Sequence, residues 1–263
     1  MTSVTGQSSL HAVHELLATL FAGKDIRIYE AGGGSASFIQ PNILNVGQVT
    51  VLDIDAIQLQ KNDYADKKFL GDVQTYAFPP NSFELIVCYN VIEHLETPDR
   101  AIALFFQALI PGGLLFIGAP NPNSFSGFIT RLTPHWFHVW YYKFILGNKL
   151  AGQPGNVPFR TIYHPVVSPK ALIKYCQALG FRVEYFKEYQ GDLLRQLTEK
   201  WPLLGWLLNT FVGVANAFTL WQKDLKLGDF HLVLAKPITA KDDACGGLTF
   251  VVQDPNRTDD PAR

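Results

Sequence analysis

The stretch Ile26-Arg-Ile-Tyr-Glu-Ala-Gly-Gly-Gly-Ser-Ala-Ser-Phe38 reads as a β-strand that runs into a glycine turn. Ile26, Ile28 and Tyr29 are β-prone, and an acid, Glu30, ends the run. Gly32, Gly33 and Gly34 follow, then small residues able to open a helix. A strand, a glycine turn and a helix let backbone N–H groups approach a ligand closely, because no Cβ stands in the way. The dinucleotide fingerprint G-x-G-x-x-G is not met, since Ser37 occupies its third glycine position. An acid at the strand end also disfavours a pyrophosphate, which weakens an NAD dehydrogenase reading.

Downstream, Val49 to Ile54 is a second strand that ends at Asp53, 19 residues after Gly34. An acid at that distance, on the tip of the next strand, can accept both ribose hydroxyls of an adenosine. Asp55 competes for the role but sits further into the turn. Lys67 to Val73 is a short strand ending in Gly71-Asp72. Phe83 to Tyr89, FELIVCY, is an apolar run expected of a central strand covered on both faces. It leads into Asn90-Val91-Ile92-Glu93-His94-Leu95. Residues 99–110 have the pattern of an amphipathic helix, which Pro111-Gly112-Gly113 stops before a strand at Leu114 to Gly118. Upstream, Leu10, Val13, Leu17, Leu20 and Phe21 recur at helical spacing, with Gly23 as the stop. His11 and His14 on that helix are expected to be solvated.

In order and spacing, E-x-G-x-G, the strand-end acid, G-D, E-H-L and P-G-G over residues 26–121 resemble the class I S-adenosylmethionine (SAM)-dependent methyltransferases. Ala36 stands where that family more often has Gly, and Glu84 where Asp is usual. The resemblance implies an α/β fold, a doubly wound, Rossmann-like seven-stranded sheet with the last strand antiparallel. Phe181 to Phe186 and Phe230 to Ala235 would supply strands six and seven, with a helix from Ser168-Pro169 to Leu179 before them. It implies SAM as cofactor. By position, Glu30, Gly32 and Gly34 would line its amino-acid part, Asp53 would hold the ribose and Ile54 would lie under the adenine. Asp72 and Val73 would hold the adenine edge, and Asn90 would approach the methionine portion through its backbone.

His94 is the first candidate base, because an imidazole takes up a proton near neutral pH. Some quinone-pathway O-methyltransferases carry E-x-x-E-H here and bind a divalent metal. This chain has Asn90, Glu93 and His94 instead, and a lost carboxylate argues against a hard cation. No metal is expected.

Two insertions depart from the family scheme, within a single domain read over 1–236. The first, about 122–167, is an aromatic segment read as a lid over the acceptor. His135, His138 and Tyr141 are its candidate catalytic groups, with His164 nearby. His135 and His138 are three apart and would share a helix face. The second, about 187–229, contains the uncharged run Trp201 to Gln222. Its length approaches a bilayer span, but a span would separate strands six and seven, and Pro202, Gly205 and Gly213 interrupt a straight helix. It is read as a hydrophobic cap that lines an acceptor pocket and meets a membrane surface peripherally through 201–222. A homodimer interface or a buried subdomain fits its composition equally. Residues 237–263 read as a mobile polar tail.

Charge and cysteine usage set the remaining bounds. The formal net charge of −1 lacks the basic excess of a nucleic-acid binder. Cys88, Cys176 and Cys245 are far apart, without C-x-x-C, which fits a reducing, cytoplasmic setting. The resemblance, with the aromatic lid, implies SAM-dependent methylation of a small or medium hydrophobic acceptor, first of all O-methylation of a specialised metabolite. A membrane-surface enzyme for a quinone or other lipid is the enzymatic alternative. A non-catalytic scaffold that binds a partner through the apolar insertion is the other.

Overall fold

The computed structural model describes residues 6–45, 47–144, 147–153, 156, 158–162, 164–190, 203, 205–207, 210, 212–214, 225 and 227–238. Strands β1 (Ile26–Ala31), β2 (Gly47–Asp53), β3 (Lys67–Leu70), β4 (Phe83–Tyr89), β5 (Leu109–Pro120), β6 (Arg182–Gln190) and β7 (Leu227–Ala235) form one sheet. Its order is β3-β2-β1-β4-β5-β7-β6. β1 to β5 pair in parallel, and β7 runs antiparallel to both neighbours. The order reverses direction between β1 and β4. At such a switch the connections leave on opposite faces and open a crevice at the strands' C-terminal ends.

Side-chain alternation along each strand gives two cores. One face packs Tyr29, Ile86, Cys88, Ile117 and Leu232 against helices α4 (Pro98–Ala108) and α7 (Pro169–Leu179). The other packs Ile28, Val51, Val87, Phe116 and Val233 against α1 (Gly6–Phe21), α2 (Pro41–Leu44) and α3 (Ala56–Lys61). β4 is buried along nearly its whole length, as its unbroken apolar run requires. Glu84, the departure from the family's Asp, is buried at the far end of this strand. It accepts from the Arg27 backbone N–H (2.6 Å) and from the Arg27 guanidinium (2.6 Å), tying β4 to β1.

Several boundaries differ from the sequence expectations. No helix opens at the glycine turn; residues 35–40 are loop and α2 has only four residues. The P-G-G triplet lies inside β5, beside a register shift against Phe83, instead of ending a helix before the strand. Gly112 has φ +81 there, and its N–H meets the Lys236 carbonyl, so tertiary pairing overrides the turn signal. Ser168 stands at the start of α7 but makes no side-chain cap; its hydroxyl donates to the Pro165 carbonyl. β6 and β7 take in 187–190 and 227–229, so the second insertion is shorter than read.

His14 is buried, contrary to expectation, and its Nε2 donates to the Phe38 carbonyl at 2.8 Å. The lid folds as α5 (Phe125–Leu132) and α6 (His135–Phe144). A small separate cluster joins Phe125 to Val212, with Ile129 and Leu225 against it. The tail beyond 238 and most of 191–226, including Trp201 and Gln222, lie outside the described residues.

Candidate functional site

The C-terminal rim of β1, β2 and β3 collects the carboxylates singled out in the sequence. Asp53 ends β2, and its Oδ2 accepts the Gly34 N–H at 2.9 Å while Oδ1 accepts the Asp55 N–H at 2.8 Å. The 19-residue spacing is thus a physical contact. Burial pushes the Asp53 carboxyl up, against the pull of these backbone donors. Asp55, its competitor, instead caps α3 by accepting from the Ile57 and Gln58 N–H groups.

Gly32 and Gly34 have φ of +68 and +52, the left-handed region that a side chain strains. A Cβ on Gly32 would also strike the Val91 side chain at 2.5 Å. Glu30 is almost fully buried. Its carboxylate accepts from the Ser37 hydroxyl and from the Tyr64 phenol, and burial pushes its pKa up. The Ser37 oxygen also accepts the Ile39 N–H at 3.0 Å, so the residue that breaks the dinucleotide fingerprint locks the loop to the strand.

Next along the rim, Asp72 accepts from the Gln74 backbone N–H (2.8 Å) and from Gln74 Nε2 (3.1 Å). Gln74 Oε1 in turn accepts from the Thr97 N–H at 2.7 Å. Val73 is buried. Ile54 and Leu70, both apolar, are 75% and 62% exposed beside Asp53, which is in register with Leu70. Adenosine fits this cradle: an acid with lone pairs to spare, left-handed glycines beside it, and uncovered apolar surface of the kind a flat ring covers.

The turn after β4 carries Asn90 and His94. Asn90 is exposed and left-handed (φ +54), and its N–H donates to the Gly118 carbonyl at 2.8 Å. That N–H is committed, so the backbone approach expected of Asn90 is reduced to its carbonyl. Ile92–His94 forms one turn of 3₁₀ helix. The Ile162 N–H donates to the Glu93 carbonyl at 2.7 Å, and His94 Nδ1 lies 2.8 Å from the Arg160 carbonyl. The segment returning from the lid is therefore stitched onto this turn. A carbonyl only accepts, so Nδ1 carries the hydrogen and Nε2 keeps its lone pair. Burial lowers the His94 pKa, which keeps the ring neutral near pH 7.

Glu93 is buried, its Oε2 has no partner, and Oε1 is 3.7 Å from His94 Nε2. Burial pushes Glu93 up to about 8, so it holds a proton at neutral pH. A protonated carboxyl is a poor ligand for a hard cation. Among the described residues no three His, Cys, Asp or Glu side chains gather as a metal site would need.

The lid candidates are placed less tightly. His138 Nε2 is 2.9 Å from the Thr133 hydroxyl, within the lid itself. His135 is exposed, and Tyr141 is half-buried with its pKa raised by burial. His164 Nδ1 accepts the Val166 N–H at 3.3 Å, a local capping bond.

Sequence reasoning missed Tyr64 and Gln74, which hold the rim acids. It also missed a buried network centred on His231, a lone histidine inside an apolar strand. His231 Nδ1 meets Ser9 Oγ (2.9 Å), and its Nε2 meets the hydroxyls of Tyr189 (3.0 Å) and Tyr89 (3.2 Å). Burial pushes His231 down to about 4. Tyr89 also stacks on Phe38 at 4.2 Å, so the network braces the loop beyond the glycines.

Comparison with known proteins agrees with this geometry. Residues 7–185 match the family described as a methyltransferase domain. A ubiquinone biosynthesis O-methyltransferase of Xanthomonas campestris is 26% identical over 165 residues, 55% of this chain and 69% of that protein. An uncharacterized Synechococcus protein is 32% identical over 106 residues, but the match spans 35% of this chain and only 24% of that protein. The N-methyltransferase NodS of Bradyrhizobium japonicum, solved with S-adenosyl-L-homocysteine, superposes with a TM-score of 0.50 at 13% identity, covering 89% of each chain. That likeness concerns the fold alone. With a family match over well more than half the chain and the 3-2-1-4-5-7-6 sheet, the protein belongs to the class I SAM-dependent methyltransferases.

Proposed function

We propose that this chain methylates an oxygen atom of a small or medium hydrophobic acceptor, a specialised metabolite in the first reading. Bound SAM supplies an activated methyl group. An ionised carboxylate has about four acceptor sites, so Asp53 keeps room for ribose hydroxyls beyond its two backbone bonds. Ile54 offers apolar surface to the adenine, and Asp72 with Val73 its polar edge. Gly32 and Gly34 leave space for the amino-acid part. Glu30 acts by holding Ser37 and Tyr64, and so the loop, in place.

The observation that carries the oxygen assignment is His94. Its Nδ1–H is fixed by the Arg160 carbonyl, leaving Nε2 as a neutral acceptor for a hydroxyl proton. With SAM bound as methyl donor, His94 Nε2 would take the hydroxyl proton as the acceptor oxygen gains the methyl group, and S-adenosylhomocysteine would be the leaving product. His94→Ala should keep SAM affinity and lose turnover by about 10²–10⁴-fold. Turnover equal to the wild type would reject His94 and move the search to His135, His138 and Tyr141. Because the His94 pKa is lowered from 6.5, the rate should climb with pH and level off before about 6.5.

A second reading, methylation of a quinone or other lipid at a membrane surface, draws support from what the Xanthomonas relative is named for. Calorimetry with SAM, S-adenosylhomocysteine and NADH comes first. Binding of the first two alone supports the enzyme; binding of none would favour a scaffold. Labelled SAM offered with phenols, carboxylic acids and short-chain quinols then separates the acceptor readings.

A further inference from the structure

Helix α6 is HWFHVWYYKF and buries none of its ten residues. Trp136, Trp140 and Phe144 recur every fourth residue and are 69%, 44% and 65% exposed. At about 100° per residue they share one arc, and exposed Lys143 falls about 20° beside its edge. On α5, Phe128 and Leu132 are also four apart and exposed. An apolar surface of this kind on a folded domain marks a docking face.

Charge says what docks there. Between Asp99 and Glu184 the chain has no acidic residue, and the lid segment 122–167 carries Arg131, Lys143, Lys149 and Arg160. An acid-free lid segment whose helix carries exposed tryptophans and Lys143 matches the headgroup region of an anionic bilayer, where indoles sit at the interface and lysines meet phosphate. A second copy fits poorly, because a two-fold contact would set this acid-free, cation-bearing lid against an identical one, with no carboxylate to pair its lysines. Among the described residues no helix is long and apolar enough to span.

We propose that the exposed α5–α6 face docks peripherally on anionic lipid bilayers, with Trp136, Trp140 and Phe144 entering the interface and Lys143 and Lys149 facing phosphate. This holds whichever acceptor is methylated, and it assigns the contact to the lid instead of 201–222.

Flotation of the full chain with vesicles tests it. The protein should float with phosphatidylcholine–phosphatidylglycerol vesicles, much less with phosphatidylcholine alone, and less in high salt. Trp136→Ser with Trp140→Ser should weaken binding at least tenfold, and Lys143→Glu with Lys149→Glu by several-fold per charge. No flotation of the wild type would overturn the proposal. So would unchanged flotation of both variants, or a wild-type dimer that the tryptophan changes convert to monomer. SAM calorimetry on the same samples keeps the tests apart, since lost SAM binding would count against the enzymatic reading and leave the vesicle result standing.

Discussion

At the sheet rim, Glu30, Asp53 and Asp72 each accept at least two hydrogen bonds from nearby groups, and the His231 network reaches the loop beyond the glycines through Tyr89 and Phe38. In the lid, α6 is rich in aromatic residues and fully buries none of them, leaving Trp136, Trp140 and Phe144 exposed. The rim is assembled before any ligand arrives. Its donors and acceptors are oriented at the cost of folding, so binding pays little reorganisation. The lid's apolar surface has no such closure within the chain, and what it meets outside must supply the packing. The hydrogen-bonded loops therefore lie where the family resemblance puts the cofactor, and the exposed aromatic surface lies where this chain departs from that scheme.

The sharpest way to break the comparison is at Asp53. Asp53→Ala should lower SAM affinity by 10²–10³-fold, on the order of 3–4 kcal/mol, because hydrogen bonds to a charged group are lost. Calorimetry reads this directly, and wild-type affinity would remove the ribose assignment. The His231 network predicts a pH signature. His231 is held near 4 when folded and returns to about 6.5 when unfolded, so protons prefer the unfolded chain. Its stabilisation is complete above 6.5 and is lost as pH falls toward 4, by roughly 3 kcal/mol. Denaturant melts at pH 7.5 and 5 should show that slope, and His231→Gln should flatten it.

A smaller effect belongs to Tyr64→Phe, which leaves Glu30 with one of its two hydroxyl donors. Stability should fall by about 1–2 kcal/mol, and SAM should bind more weakly although the substituted ring touches no assigned cofactor position. At the other extreme, Trp136→Ser should change thermal stability by less than about 0.5 kcal/mol, since Trp136 is mostly exposed and its ring contact is with its neighbour Phe137. A large destabilisation there would show that the lid is internally packed and end the contrast.

Much of the rim was legible because its signals are local. Three glycines after a strand, an acid 19 residues on, and an apolar run at β4 each reflect backbone geometry or burial of a single element. The errors lie where distant parts meet. His14 was read as solvated, yet it is buried on the apolar face of α1 and bonded to the Phe38 carbonyl. The P-G-G triplet was read as a stop, but pairing with the returning strand and Lys236 extends β5 through it. Tyr64 gave no signal in its polar neighbourhood; its partner Glu30 lies 34 residues away.

The sequence by itself determined the glycine turn and most strands, because glycine conformation and hydrophobic period act within one element or between neighbours, and the order of its motifs pointed to the family and its seven-stranded sheet. Only the tertiary structure decided which side chains hold the rim acids, that the His94 ring is fixed through Arg160, and that Trp136 and Phe144 of α6 stand exposed. Ser9 and His231 are 222 residues apart, and nothing local distinguishes a histidine that will meet a serine from one that will meet water. That distinction is made when the sheet closes, α1 settles on its face, and buried polar groups must find one another or pay for desolvation.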